Sequence, residues 1–132
     1  MSPHNTIIDL TVTPEGMLYT RLTGSVTSEN IDELRKEVAT AKLVVYGEYQ
    51  KRNAKFKSLI DITGFSGTYV PEALSILSEL MRANKSYIEK SALYGVGDAL
   101  TAAANIVTSF SGRDNLSFFQ TKEEAVAWLN AE

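Results

Sequence analysis

The chain has 132 residues, a formal net charge of −3 and no cysteine. Its length fits a single domain over residues 1–132, and 44% hydrophobic with 22% charged residues is an ordinary globular composition. The acidic balance disfavours an extended nucleic-acid surface, the absence of cysteine excludes disulfides and thiolate ligands, and no apolar run approaches the roughly 18 residues of a membrane helix. We expect a cytoplasmic domain with no nucleic-acid partner, membrane span or cofactor.

Two β-rich runs, residues 6–13 and 17–23, open the sequence. Residues 14–16 (Pro-Glu-Gly) separate them, and proline followed by glycine favours a tight reversal of the chain. We therefore predict an antiparallel hairpin that ends at Gly24.

Thr27 or Ser28 then begins a helix that extends to about residue 51. Its apolar side chains recur at helical spacing and predict one buried stripe: Ile31, Leu34, Val38, Ala41 and Val45. Four basic residues occupy the last turn and exit: Lys51, Arg52, Lys55 and Lys57. They either stabilise the negative end of the helix dipole or bind phosphate, and their placement favours the dipole.

The middle of the chain reads as strand, loop and helix. We predict a strand over residues 56–63, a loop over residues 64–70, and a second helix with Pro71 in its first turn. A fourth strand is expected over residues 91–96, and Asp98 begins a third helix. The predicted core face of the second helix comprises Ala73, Leu74, Leu77, Leu80, Met81 and Ile88.

A fifth strand over residues 116–119 precedes the last helix. Thr121 can accept a hydrogen bond from the Glu124 amide while the Glu124 carboxylate reaches the Thr121 amide, which together make a capping box. The order ββαβαβαβα predicts an α/β fold in which short strand–helix–strand units build a largely parallel five-stranded sheet behind the hairpin.

Asp61 lies inside the apolar strand predicted over residues 56–63. It could act as a general acid or base beside Ser66, Thr68 or Tyr69, or backbone amides could hold it in a structural role. The structural interpretation is favoured, because a carboxylate without a histidine or a second acid rarely makes an acid/base pair.

Two glycine-containing segments, residues 64–69 and 95–98, follow predicted parallel strands. Loops at the carboxyl ends of such strands converge, and helix amides there can hold an anion, although glycine turn geometry explains both segments more simply. The candidate ligand- or partner-binding residues are Asp61, Gly64, Ser66, Gly67, Thr68, Tyr69, Gly95, Gly97 and Asp98. No catalytic or metal-ligating residue is assigned.

Four motifs in chain order resemble the SpoIIAA-like branch of the STAS superfamily. They are Gly-x-Val-Thr-x-Glu at the first helix, Leu-Ile-Asp-Ile-Thr-Gly in the central strand, Ser-Ala-Leu-Tyr-Gly-Val, and Phe-Phe-x-Thr-x-Glu-Glu-Ala-x-x-Trp-Leu. The resemblance covers residues 7–129. It implies a mixed, mostly parallel sheet with helices mainly on one face, a layout also likened to the lipid-carrying CRAL-TRIO fold.

The chain departs from the family at one position. STAS proteins that antagonise anti-sigma factors carry a phosphorylated serine in an Asp-Ser-x-Gly motif, which corresponds to residues 69–72 (Tyr-Val-Pro-Glu) here. Ser66 and Thr68 lie nearby but outside the helix start, so the resemblance does not extend to a kinase-driven switch.

Three functions are weighed. The first is a non-enzymatic STAS-like module that binds a protein partner, itself, or a small apolar or anionic ligand. The second is a carrier of a lipid-like ligand in a cavity bounded by Leu74, Leu77, Met81, Ile106 and Phe110. The third, a hydrolase using Asp61, is least favoured because no histidine is placed to activate a hydroxyl.

A homodimer or higher oligomer is also expected. If helices cover mainly one face of the sheet, the apolar side chains of the opposite face, Met17 and Tyr19 among them, form an open patch. The adjacent aromatics Phe118 and Phe119 point to opposite faces, so one of them needs cover beyond the helical layer.

Overall fold

The computed structural model describes residues 7–95 and 115–131, with the backbone alone for residues 66–68. Five strands form one sheet in the order β1-β2-β3-β4-β5. The strands are β1 Ile8–Val12, β2 Met17–Val26, β3 Phe56–Tyr69, β4 Ile88–Tyr94 and β5 Leu116–Phe119. The helices are α1 Ile31–Arg52, α2 Pro71–Ala83 and α3 Lys122–Asn130, with a 3-10 turn at Lys85–Tyr87. The helix predicted after Asp98 lies outside the described residues.

The sheet is antiparallel only between β1 and β2, and the other three pairings are parallel. This confirms the predicted mixed, mostly parallel α/β fold. The hairpin closes as expected, since the Thr13 amide donates to the Met17 carbonyl at 2.9 Å and Gly16 takes a positive φ of 92°. Gly24 was predicted to end the hairpin, but β2 continues past it to Val26. Gly24 therefore does not end the strand. It takes a φ of 77° beside an irregularity in the β2–β3 register, so it marks a bulge inside a longer strand.

The helix α1 begins at Ile31, three or four residues later than predicted. Asn30 sets the start, because its side chain accepts a hydrogen bond from the Thr27 amide at 2.7 Å and donates one to the Ser25 carbonyl at 2.8 Å. These contacts fold residues 27–30 into a turn before the helix. The predicted apolar stripe is confirmed for the buried residues Leu34, Val38, Ala41 and Val45.

Both faces of the sheet are covered by helices. On one face α1 and α2 build a core with the strands that includes Ile8, Val26, Leu34, Val38, Ala41, Ala73, Ile76 and Leu80. On the other face α3 packs through Ala125 and Leu129 against Leu59, Ala92 and Tyr94. Because strand side chains alternate between faces, Ile62 and Leu93 lie on the side of the first core. Ile88, predicted on the face of the second helix, instead opens β4.

The segment predicted as a loop over residues 64–70 is mostly strand. β3 continues to Tyr69 and pairs with the end of β2, from Thr23 opposite Gly64 to Val26 opposite Tyr69. The rings of Phe65 and Tyr69 stack with centroids 6.3 Å apart and pack on the α1/α2 core. Burial of these two aromatics outweighs the turn propensity of the glycines, which is why the local sequence was misleading.

The predicted cap of the last helix is confirmed in one of its two hydrogen bonds. The Thr121 hydroxyl oxygen accepts from the Glu124 amide at 3.2 Å. The Glu124 carboxylate, however, accepts from the Thr121 hydroxyl at 3.1 Å, rather than from its amide. At the other end the Lys90 ammonium donates to the carbonyls of Trp128 and Ala131, so α3 is held at both termini.

Among residues 7–95 and 115–131, no helix combines the length and the apolar character needed to cross a bilayer.

We predict that Gly95→Ala lowers the free energy of unfolding by about 2 kcal/mol or more. Gly95 takes a φ of 90°, and a Cβ built there would come within 2.9 Å of the Thr63 amide nitrogen. Gly24→Ala is the matched control, since Gly24 has a φ of 77° but no atom within 4 Å of its Cβ position. It should lose only the conformational part, about 1 kcal/mol. Urea denaturation measures both losses, and equal losses would show that the approach to Thr63 is unimportant.

Candidate functional site

Asp61 lies on β3, on the face of the sheet that α3 covers. Its neighbouring strands are β2 on one side and β4 on the other. In the parallel register it stands opposite Arg21 on one side and Tyr94 on the other. Only 8% of Asp61 is exposed, so its carboxylate needs partners. The Tyr19 hydroxyl donates to Asp61 Oδ2 at 3.2 Å and lies 3.1 Å from the Tyr94 hydroxyl. Strands β2, β3 and β4 are thereby joined through one carboxylate.

Thr63 supplies the second set of donors. Its backbone amide donates to Asp61 Oδ1 at 2.8 Å, and its hydroxyl donates to the same oxygen at 2.6 Å. Thr63 also lies against Gly95 at the exit of β4. The Asp61 carboxylate therefore fixes the conformation of the chain where β3 and β4 approach their carboxyl ends.

These contacts decide the protonation of the site. Burial on its own raises the pKa of Asp61, but the hydrogen bonds from Thr63, Tyr94 and Tyr19 outweigh it and hold that pKa below the ordinary value of 3.8. The pKa of the Tyr94 hydroxyl is raised, first by burial and then by its neighbours Tyr19 and Asp61. Asp61 is thus an ionised acceptor and Tyr94 a protonated hydroxyl throughout the neutral range.

Exposed residues surround this buried carboxylate. Arg21 is half exposed and its Nε lies 3.9 Å from Asp61 Oδ2, while Thr63 and Gly64 are exposed on β3. Lys122, at the start of α3, is exposed and its Nζ lies 5.4 Å from the centroid of the Tyr19 ring. We call the exposed set Arg21, Thr63, Gly64 and Lys122 the Asp61 rim. The rim presents two cations, and the hydrogen bonds of the buried Asp61 carboxylate hold the strands that carry it.

The structure brings some of the predicted site residues together and separates others. Asp61 and Gly64 contribute to the same region, and Gly95 contacts Thr63 beside them. Tyr69 lies on the opposite face of the sheet with Phe65, so it is not a neighbour of the carboxylate. The backbone of Ser66, Gly67 and Thr68 belongs to β3. Gly97 and Asp98 lie outside the described residues.

Sequence reasoning did not find Tyr19, Arg21, Thr63 or Tyr94 as members of the site. The spacing Asp-x-Thr was a usable signal, because an aspartate side chain often accepts hydrogen bonds from the residue two positions on. The two tyrosines could not be found in the same way. Their meeting with Asp61 depends on the register of two parallel pairings, which no local pattern encodes.

Two surface grooves lie away from the Asp61 rim. One of ≈ 440 Å³ is lined by Arg52, Lys55 and Lys57 together with Glu15 and Glu89. Arg52 donates to the carbonyls of Thr13 at 2.6 Å and Pro14 at 3.1 Å, so this basic residue ties α1 to the hairpin turn. The other groove, of ≈ 380 Å³, lies between β1 and α1.

Neither of these grooves is the apolar cavity that a lipid carrier requires. Leu74, Leu77 and Met81 are half-buried on α2 and line neither groove. The remaining predicted cavity residues, Ile106 and Phe110, lie outside the described residues. The carrier hypothesis therefore stays a prediction.

The sheet face predicted to be open is covered. Met17, Tyr19 and Phe119 pack with α3, and the rings of Phe119 and Trp128 have centroids 5.6 Å apart. The reasoning that led from a bare sheet face to a dimer was therefore wrong. The dimer itself stays a prediction.

We predict that Asp61→Asn lowers the free energy of unfolding by about 1–3 kcal/mol at neutral pH, since an amide cannot accept from all the donors aimed at the carboxylate. Because the pKa of Asp61 is lower in the folded than in the unfolded chain, its ionised form stabilises the fold above the unfolded value near 3.8. That stability is lost as the pH falls through the folded pKa.

The difference between the wild type and Asp61→Asn should therefore shrink on acidification below about pH 4. Urea denaturation at a series of pH values measures it. A difference that stays constant from neutral to acidic pH would contradict the assignment of Asp61 as an ionised acceptor.

Comparison with solved structures identifies the same fold in other proteins. An uncharacterised protein of Shewanella loihica with a SpoIIAA-like fold matches with a TM-score of 0.62 and 18% identity, over 92% of this chain and 91% of that one. The anti-sigma factor antagonist SpoIIAA in its unphosphorylated form matches with a TM-score of 0.59 and 11% identity, over 92% and 95%.

The phosphorylated form of the Bacillus cell fate determinant SpoIIAA matches with a TM-score of 0.54 and 15% identity, over 93% of this chain and 99% of that one. No curated protein matches the sequence. At these identities the structures establish the fold alone. The SpoIIAA-like family model, however, matches residues 17–130, which is most of the sequence. The chain therefore belongs to the SpoIIAA-like family.

Proposed function

We propose that the chain is a non-enzymatic binding or regulatory module that recognises an acidic segment of a protein partner through the Asp61 rim. The observation that carries the proposal is the fixed carboxylate beneath the rim. Asp61 accepts hydrogen bonds from Tyr19 and Thr63, so the backbone under the exposed Arg21 and Thr63 is held rigidly before a partner arrives.

The charge of the rim selects the kind of partner. Arg21 and Lys122 are exposed cations, and Arg21 contacts Asp61 only at the long distance of 3.9 Å. A guanidinium of this kind can still donate to an incoming carboxylate in a bidentate manner. The rim carries two exposed cations, Arg21 and Lys122, in a chain of net charge −3. It therefore favours an acidic peptide over a basic one.

The same geometry argues against acid/base catalysis by Asp61. A general acid or base works best with a pKa near the operating pH, whereas the pKa of Asp61 is lowered and that of Tyr94 is raised. The Asp61 carboxylate and the Tyr94 hydroxyl also belong to one hydrogen-bonding network and do not face solvent. They act as a structural anchor.

The family supports a role in protein recognition. One relative of the same fold is an anti-sigma factor antagonist, a protein that acts on another protein. Residues 69–72 (Tyr-Val-Pro-Glu) carry no serine at the place where the family motif has its phosphorylated serine, so we do not propose a phosphorylation switch. We further propose that the module acts as a homodimer.

The test is quantitative affinity capture from the native host with a charge-matched pair of variants. We expect the double variant Arg21→Ala/Lys122→Ala to capture its partner about tenfold less than the wild type. The control Lys55→Ala/Lys57→Ala removes the same charge from the distant groove and should capture as the wild type does. Equal losses in the two double variants would show a nonspecific charge effect and contradict the proposal.

Native mass spectrometry of the purified protein separates the alternatives. The module is supported if the wild type carries no bound small molecule and the double variant Arg21→Ala/Lys122→Ala loses the protein partner. A co-purified lipid of fixed mass, retained in that double variant, would instead favour the carrier. A small anion displaced by the double variant would make the rim a ligand site.

A further inference from the structure

We propose that the outer face of α1 is the surface on which two copies of this chain pair, with Leu43 of each copy seated against Gly47 of the other. The inference rests on the proposed function only in treating the chain as a protein-binding module that acts as a dimer. It assigns that dimer to a surface far from the covered sheet face that the sequence suggested.

The exposed large hydrophobic residues are concentrated in one turn of this helix. Leu43 is 73% exposed, Tyr46 46% and Val44 40%, and they are the large hydrophobic residues exposed within residues 7–95 and 115–131. Single exposed apolar residues are normal, but Leu43 and Tyr46 are neighbours one turn apart, and Val44 continues the apolar surface toward the groove between β1 and α1. We call Leu43, Val44, Tyr46 and Gly47 the α1 ridge.

Gly47 makes the patch more specific. It lies in the interior of a 22-residue helix, where glycine destabilises by roughly 0.5–1 kcal/mol relative to alanine. A Cβ at this position would meet nothing within 4 Å, so no contact inside the chain requires the glycine. A partner helix that approaches closely does require it. Gly47 weakens the helix and Leu43 leaves most of its apolar side chain in water, and one docked helix would account for both.

The position of the two residues favours a second copy as the partner. Leu43 and Gly47 are four residues apart and therefore neighbours on one side of the helix. An antiparallel two-fold pairing brings each leucine to the other copy's glycine, so the surface is complementary to itself. Such an arrangement needs no further apolar surface on either chain.

The charges around the ridge point the same way. Lys42 pairs with Glu79 of α2 at 2.5 Å, and Lys51 pairs with Glu48 at 3.3 Å. These two ion pairs match the charges of Lys42 and Lys51 within the chain, so neither lysine is left to select an acidic partner. Within the described residues, the apolar surface that best matches the ridge is the ridge itself.

A single ridge is small beside the about 1,200–2,000 Å² that stable complexes bury. We therefore expect a dimer that forms in the micromolar range and responds to dilution. Sedimentation equilibrium of the full chain, from low micromolar to near-millimolar concentration, should show it. A wild type that stays monomeric at near-millimolar concentration would overturn the proposal.

Leu43→Gln tests the side chain that is proposed to dock on the other copy. The residue is exposed, so the variant should fold as the wild type does, and the two leucines lost from each dimer should weaken association by at least about tenfold. Lys55→Gln, an exposed change in the segment that follows α1 and outside the ridge, is the control and should dimerise as the wild type does. Dimerisation of Leu43→Gln at wild-type strength would reject the α1 ridge.

Gly47→Ala tests whether the partner helix needs the space that the glycine leaves. Its expected result, a more stable chain that associates more weakly, cannot arise from general destabilisation. Alanine in an open helical position should raise Tm by about 2–4 °C, while its methyl group should weaken association. A variant that is more stable but associates as tightly as the wild type, or more tightly, would contradict the packing of Leu43 on Gly47.

The absence of native cysteine allows a direct test of orientation. Leu43→Cys and Gly47→Cys, mixed in equal amounts and oxidised gently, should form a disulfide between the two variants faster than either forms one with itself. Faster self-linking of both single variants would exclude the antiparallel pairing.

The two proposals fail separately. If Leu43→Gln dimerises normally while Arg21→Ala/Lys122→Ala loses its partner, the dimer surface is wrong and the recognition surface stands. If Leu43→Gln is monomeric while the rim variant keeps its partner, the dimer surface stands and the recognition surface is wrong.

Discussion

The buried carboxylate of Asp61 is the contact on which the carboxyl-end region of this sheet depends. Tyr19 reaches it from β2, Thr63 follows it on β3, and Tyr94 closes the network from β4. An unpaired carboxylate in this position would cost several kcal/mol, so the three strands must take the one register that supplies its donors. A polar group inside the protein here defines alignment, while the apolar cores on the two faces provide most of the stability.

The fold was largely predictable because it is written in periodic patterns. The helical stripe of α1, the strand over residues 116–119 and the hairpin turn each follow from local spacing, and the order of elements then implies parallel pairing. The errors occurred where a distant contact overrides a local preference. Residues 64–69 look like a glycine loop, but Phe65 and Tyr69 are partly buried against the α1/α2 core and hold the segment in the sheet. The site was less predictable, because its tyrosines meet Asp61 only through register.

Family membership and residue chemistry limit the function in different ways. The SpoIIAA-like model matches most of the chain, and the family resemblance aligns the phosphorylated-serine motif of related antagonists with residues 69–72, which contain no serine. In this protein the corresponding stretch contributes an aromatic residue to the core and a proline to the start of α2. If the chain is the binding module proposed above, its specificity must come from its own exposed side chains, because a fold does not determine a function.

The late position of α3 in the chain has a consequence for biosynthesis. Every other element described here leaves the ribosome before α3, and within the described residues Leu59, Ala92 and Tyr94 pack against that helix. A nascent chain that has completed its first core therefore still exposes the second side of its sheet. We therefore expect the nascent chain to be more prone to aggregation before residues 122–130 emerge than after they dock.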